Sequence, residues 1–117
     1  MPEVENKKGV IVKPYTPEVV AEHEAKVGGK SNLREIIVTD DEGLDFYYLV
    51  KRPTRSVIQA ITNANGKNDI NGASKIMLGC VLEGDLEAIE NNGAIYLALV
   101  ENITTLIGGV KSEIKKL

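Results

Sequence analysis

His23, Cys80 and the acidic run Asp40, Asp41, Glu42 and Asp45 are the side chains of this sequence that catalysis or metal binding could use. His23 is the only histidine and stands between Glu22 and Glu24. A metal centre or a general base needs converging partners, and none lies at useful spacing. His23 therefore reads as a surface or edge-of-core residue. Cys80 is the only cysteine and sits at helical spacing from Ile76 and Met77, where a small hydrophobe belongs. A reactive thiolate needs a histidine or a cationic setting, and His23 is in a distant segment. Paired carboxylates can act as acid and base or bind magnesium. Those at 40–45 instead form the tip of a turn, where Asp is favoured and charge is solvated. The expectation is no catalytic, cofactor-binding or metal-ligating residue: a protein that binds rather than an enzyme.

Three near-motifs lead to the same place. Gly28-Gly29-Lys30-Ser31 resembles the end of a phosphate-binding loop, but that loop needs a glycine where this chain has Glu24. It also follows a helix instead of a strand. Asn63, Asn65, Asn68 and Asp69 have the composition of a calcium loop without its ligand spacing, so they read as a solvated turn between helices. Asn102-Ile103-Thr104 matches a glycosylation sequon, but it falls inside an apolar helical stripe, and residues 1–8 lack the apolar core expected of a signal peptide.

The chain has 117 residues, 43% of them hydrophobic and 26% charged, which suits one globular domain. Trp is absent, leaving Ile, Leu, Val and Ala to fill the core. A net charge of −3 argues against nucleic acid as a partner. One cysteine forms no intramolecular disulfide, and no run approaches the roughly 20 apolar residues of a membrane span. The expected setting is the cytoplasm, with no membrane partner.

Residues 1–15 read as a flexible N-terminal arm, with a short strand near Val10-Ile11-Val12, and residues 16–117 as a single α+β domain. Thr16-Pro17-Glu18 starts a helix that Gly28-Gly29 ends. The run from Arg34 to Thr39, with its β-branched Ile36-Ile37-Val38, and the run from Leu44 to Lys51 form an antiparallel hairpin around the acidic turn. In the second strand Phe46, Tyr48 and Val50 share one face, with Tyr47 and Leu49 on the other. Both faces are apolar, so both are covered or one meets a partner. Pro53 ends the strand and Thr54 caps a helix bearing Val57, Ile58 and Ile61. A second helix starts near Asn71, after an Asn-rich break at residues 63–71. Glu83-Gly84-Asp85 opens a charged connector to Asn92-Gly93. The last helix runs from Ala94 to about Lys116, kinked or interrupted at Gly108-Gly109. The architecture expected is an N-terminal helix, a β-hairpin and a mostly helical C-terminal half.

Three stretches resemble the small tail-assembly chaperones of long-tailed bacteriophages and prophages. One is the aromatic strand ending in a basic residue and proline, Tyr47-Tyr48-Leu49-Val50-Lys51-Arg52-Pro53-Thr54-Arg55. The second is Leu78-Gly79-Cys80-Val81-Leu82-Glu83-Gly84-Asp85, a helix ending near a cysteine that a Gly-Asp pair follows. The third is the apolar closing helix leading into the lysine-rich end, Leu106 to Leu117. The resemblance covers residues 33–117 and departs from the family at Val81-Leu82, where an aromatic is common, and at the Asn-rich turn. It implies a non-enzymatic protein that keeps the tape-measure protein soluble, recruits tail-tube subunits and self-associates. The contact surface expected is Tyr96, Leu99, Val100 and Ile103 on the last helix, with Lys51, Arg52 and Arg55 as a charged rim. A small structural component of the virion, such as a tail or head-joining protein, is the alternative.

Overall fold

In the computed structural model, which describes residues 11–108 and 112–117, the aromatic strand is the centre of the sheet. β2 (Leu33–Thr39) and β3 (Asp45–Lys51) pair antiparallel in unbroken register, Ile36 opposite Tyr48 and Val38 opposite Phe46. The turn joining them is built by Asp40. Its carboxylate accepts hydrogen bonds from the N–H groups of Glu42 and Leu44, each at 2.9 Å. Gly43 takes a φ of 84°, the left-handed conformation that a Cβ would strain.

The other edge of β3 is shared. β1 (Ile11–Val12) lies parallel to its first half, and β4 (Val81–Glu83) antiparallel to its second. The fold is thus α+β with a mixed four-stranded sheet, and a strand precedes the first helix. Of the expected arm, residues 1–10 lie outside the described residues. Its last part belongs to the fold: β1 is paired and Tyr15 is buried.

Capping residues punctuate the helices as their types require. Thr16 Oγ1 accepts from Val19 N–H at the start of α1 (Pro17–Val27), and Thr54 Oγ1 from Val57 N–H at the start of α2 (Arg55–Gly66). Asp69 caps α3 (Ile70–Leu78), Asp85 caps α4 (Leu86–Asn91) and Asn92 caps α5 (Gly93–Ile107). Three boundaries differ from expectation. The Asn-rich segment is helical as far as Gly66, so the break narrows to residues 67–69. The second helix stops at Leu78, so Cys80 lies beyond it and Val81–Glu83 form β4, and the charged connector that follows is helical, α4. The last helix stops at Ile107, not near Lys116; residues 109–111 lie outside the described residues, and 112–117 carry no regular structure.

Both faces of β3 are covered, which answers the question its sequence raises. Phe46, Tyr48 and Val50, with Ile36 and Val38 of β2, pack against Ile89 of α4 and Ile95, Leu99 and Ile103 of α5. On the opposite face Leu33, Leu49 and Tyr15 form a second cluster under Val19, Val20 and Val27 of α1. A smaller cluster, Ile61, Ala64 and Ala73, joins α2 to α3. Each large side chain so buried contributes about 1.5–3 kcal/mol by leaving water.

Candidate partner-binding surfaces

The contact surface expected on α5 is largely core. Leu99 and Ile103 are 0% exposed, because their turns of the helix face Tyr48 and Val50. They cannot meet a partner without unfolding the protein. Tyr96 and Val100 are half-buried, and the large apolar residue that α5 exposes is Leu97, at 54%. A wide apolar stripe signals a buried helix as readily as a sticky one, and α5 is buried by a sheet that the stripe cannot reveal.

Tyr96 nevertheless borders a groove. With Leu78 of α3 and Ile89 of α4 it contributes apolar surface to a hollow of about 650 Å³, which Asp69, Lys75 and Glu90 surround with charge. Ile70, 73% exposed, follows Asp69 directly at the start of α3. The groove arises where α3 and α4 both rest on α5. Its residues are spread over three segments, so Tyr96 alone among them reads as a contact residue from the sequence.

Lys51 and Arg52 line a different hollow, of about 530 Å³, with Lys26, Val27, Asn32, Pro53 and Thr54. Arg55 is exposed at the first turn of α2, just beyond it. Neither Lys51 nor Arg52 lines the Tyr96 groove. Asn32 organises the cleft: its side-chain N–H donates to the Val27 carbonyl at 2.7 Å, and its own carbonyl accepts from Arg52 N–H at 2.9 Å. Among the described residues Lys26, Lys51 and Arg52 form no ion pair. Nothing in the sequence marks Lys26 and Asn32, which join the cleft only once α1 folds back against the end of the hairpin.

The residues with chemical potential are tied into structure. His23 Nε2 lies 2.9 Å from Glu83 Oε2, linking α1 to β4. Cys80 is buried, and burial pushes its thiol up while Lys51 opposes the shift weakly. A protonated, enclosed thiol is a poor nucleophile. Tyr15 donates to Glu35 at 2.6 Å, and Lys13 pairs with the same carboxylate at 3.5 Å. Lys13 also lies over the rings of Tyr15 and Tyr47, at 5.5 and 5.1 Å, a cation–π arrangement. Burial first, then the Glu35 hydrogen bond, pushes the Tyr15 phenol far above its usual range. Among the described residues no group of three or more His, Cys, Asp or Glu is placed to hold a metal ion, and no helix is long and apolar enough to cross a membrane.

Comparison of the chain with protein-family models, curated proteins and solved structures returns no match.

Proposed function

We propose that this protein is a phage or prophage tail-assembly chaperone, non-enzymatic, which binds an apolar helix of the tape-measure protein and helps recruit tail-tube subunits. The reading starts from the three stretches at residues 47–55, 78–85 and 106–117. The observation that carries it is the groove between α3, α4 and α5, where Leu78, Ile89 and Tyr96 offer apolar surface inside a charged surround. An amphipathic helix binds such a groove through side chains one turn apart, with charges at the rim discouraging wrong partners. The site lies on α3 and at the start of α5, not on the buried Leu99 and Ile103. Lys51, Arg52 and Arg55 then form a separate basic contact for acidic segments of a partner.

The test is co-expression with a tape-measure protein encoded beside it, followed by affinity capture. Wild type should hold the partner in solution, and Ile70→Glu with Tyr96→Glu should release it while the chain stays folded. Retention of the partner by that folded double variant refutes the groove. Presence of the protein in purified particles refutes the chaperone reading in favour of a structural virion component.

A further inference from the structure

β2 is the outer strand of the sheet, and among the described residues nothing pairs with its free edge. The hydrogen bonds at both ends of the hairpin fix which groups face that edge. Asp40 N–H donates to the Leu44 carbonyl at 3.0 Å, and Arg52 N–H to the Asn32 carbonyl at 2.9 Å. Antiparallel ladders alternate, so Arg34, Ile36 and Val38 bond to β3. Glu35, Ile37 and Thr39 therefore point their N–H and C=O groups outward, while Leu33 is already engaged, its N–H by the Lys30 carbonyl and its carbonyl by Arg34. A seven-residue edge with this many unpaired groups is a template for another strand unless something blocks it. No proline or bulge interrupts β2, and at its middle Ile37 is 51% exposed.

The charges along β2 select the occupant. Lys30 and Arg34 stand at its start, Asp40 and Asp41 at its end. An antiparallel copy of the same strand brings each basic start against an acidic end, twice by symmetry. The acidic end is also hollow: Val38, Asp40, Asp41, Asn92, Ile95 and Ala98 are among the residues lining a groove of about 310 Å³. Arg34 shares the face of β2 that carries Ile36 and Val38. Its guanidinium donates only to the carbonyls of Ser31 and Leu33, each at 2.7 Å, and has no carboxylate partner among the described residues.

We propose that β2 pairs antiparallel with β2 of a second copy about a two-fold axis at Ile37, joining the two sheets into one. In that register Ile37 faces its own symmetry mate, Ile36 faces Val38, and Arg34 enters the groove beside Asp40 and Asp41 of the second copy. Glu35 lies opposite Thr39, clear of its own mate. A shift of the two-fold to Glu35 would set two like charges against each other, and cross-strand like charges are destabilising. The contact is isologous and closes, so it yields a dimer and no fibre. This pairing does not depend on the tail-assembly reading.

The test is sedimentation equilibrium of the full chain at micromolar concentration. The wild type should have about twice the 12.7 kDa chain mass. Arg34→Glu places acid against acid at two symmetric contacts and should weaken association roughly 100-fold; Ile37→Asp should do the same from the centre. Both positions are exposed, and an unchanged circular-dichroism spectrum establishes that the variants fold. Asp41→Arg should also be monomeric, yet an equimolar mixture of Arg34→Glu and Asp41→Arg chains should form a heterodimer, since each restores an opposite-charge contact. A monomeric wild type, or a dimer that survives Ile37→Asp, overturns the proposal, and a mixture that stays monomeric refutes the register.

Discussion

The Tyr48 hydroxyl donates to the backbone carbonyl of Asp85 at 2.8 Å, from the middle of β3 to the residue that caps α4. The ring is fully buried. Gly84 passes so close, at a φ of 143°, that an added Cβ would run into it. One aromatic side chain thereby holds the passage from β4 into α4 on the sheet.

Tyr48→Phe keeps the ring and removes the donor, leaving the Asp85 carbonyl without that partner. The expected loss is about 1 kcal/mol, the net worth of a hydrogen bond to a part-buried acceptor, read as a lower denaturant midpoint with an unchanged slope.

Gly84→Ala should cost more than Tyr48→Phe, because backbone strain and the clash with the Tyr48 ring add together. A loss of about 3 kcal/mol or more is the expectation, and calorimetry would show it as a fall in Tm. A neutral result would mean the β4–α4 passage can move off the sheet freely.

Alkaline stability follows from the same phenol. Burial, then the nearby Asp85 carboxylate, pushes Tyr48 from 10.0 up to about 12. The unfolded chain ionises first, so this contribution is intact below pH 10 and is lost as pH rises from about 10 to about 12. Tyr15, raised further in the same direction, extends the loss upward. Phenolate absorbance followed with circular dichroism should show part of the tyrosine signal appearing only as the fold is lost, and Tyr48→Phe should flatten the pH dependence.

Leu99→Ala should destabilise by about 2–5 kcal/mol, as expected for a fully enclosed leucine. Loss of partner binding in that variant would report unfolding. Tyr96→Glu, on the groove, should leave the midpoint within about 1 kcal/mol of wild type.

Legibility in the sequence followed the range of the interactions. Local signals were readable: Thr16 and Thr54 as caps, Gly28 as a helix stop, Asp40 to Gly43 as the turn of a hairpin with strands at nearly the expected bounds. Long-range closures were not. β4 is three residues long, too short for alternation to show, and it is a strand because β3 offers it an edge. The pairing of His23 with Glu83 spans 60 positions, and nothing near either residue announces the other. The stripe on α5 was visible but ambiguous, since an apolar helix face means core or contact depending on what folds over it. Lys51 and Arg52 stand out in the sequence by their charge, but their cleft needs Asn32 and the end of α1.

The divided edge of β3 has a consequence in time. The odd-numbered amides of β3 face that edge, as the bond from Lys51 N–H to the Cys80 carbonyl shows. A two-residue parallel strand guards the beginning of β3, while β4, continued by Cys80, guards its end. Hydrogen exchange should therefore run in a gradient within one strand: Asp45 and Tyr47 lose protection early, as β1 frays without global opening, while Leu49 and Lys51 persist until the whole sheet melts. A single strand would thus record two different unfolding free energies a few residues apart.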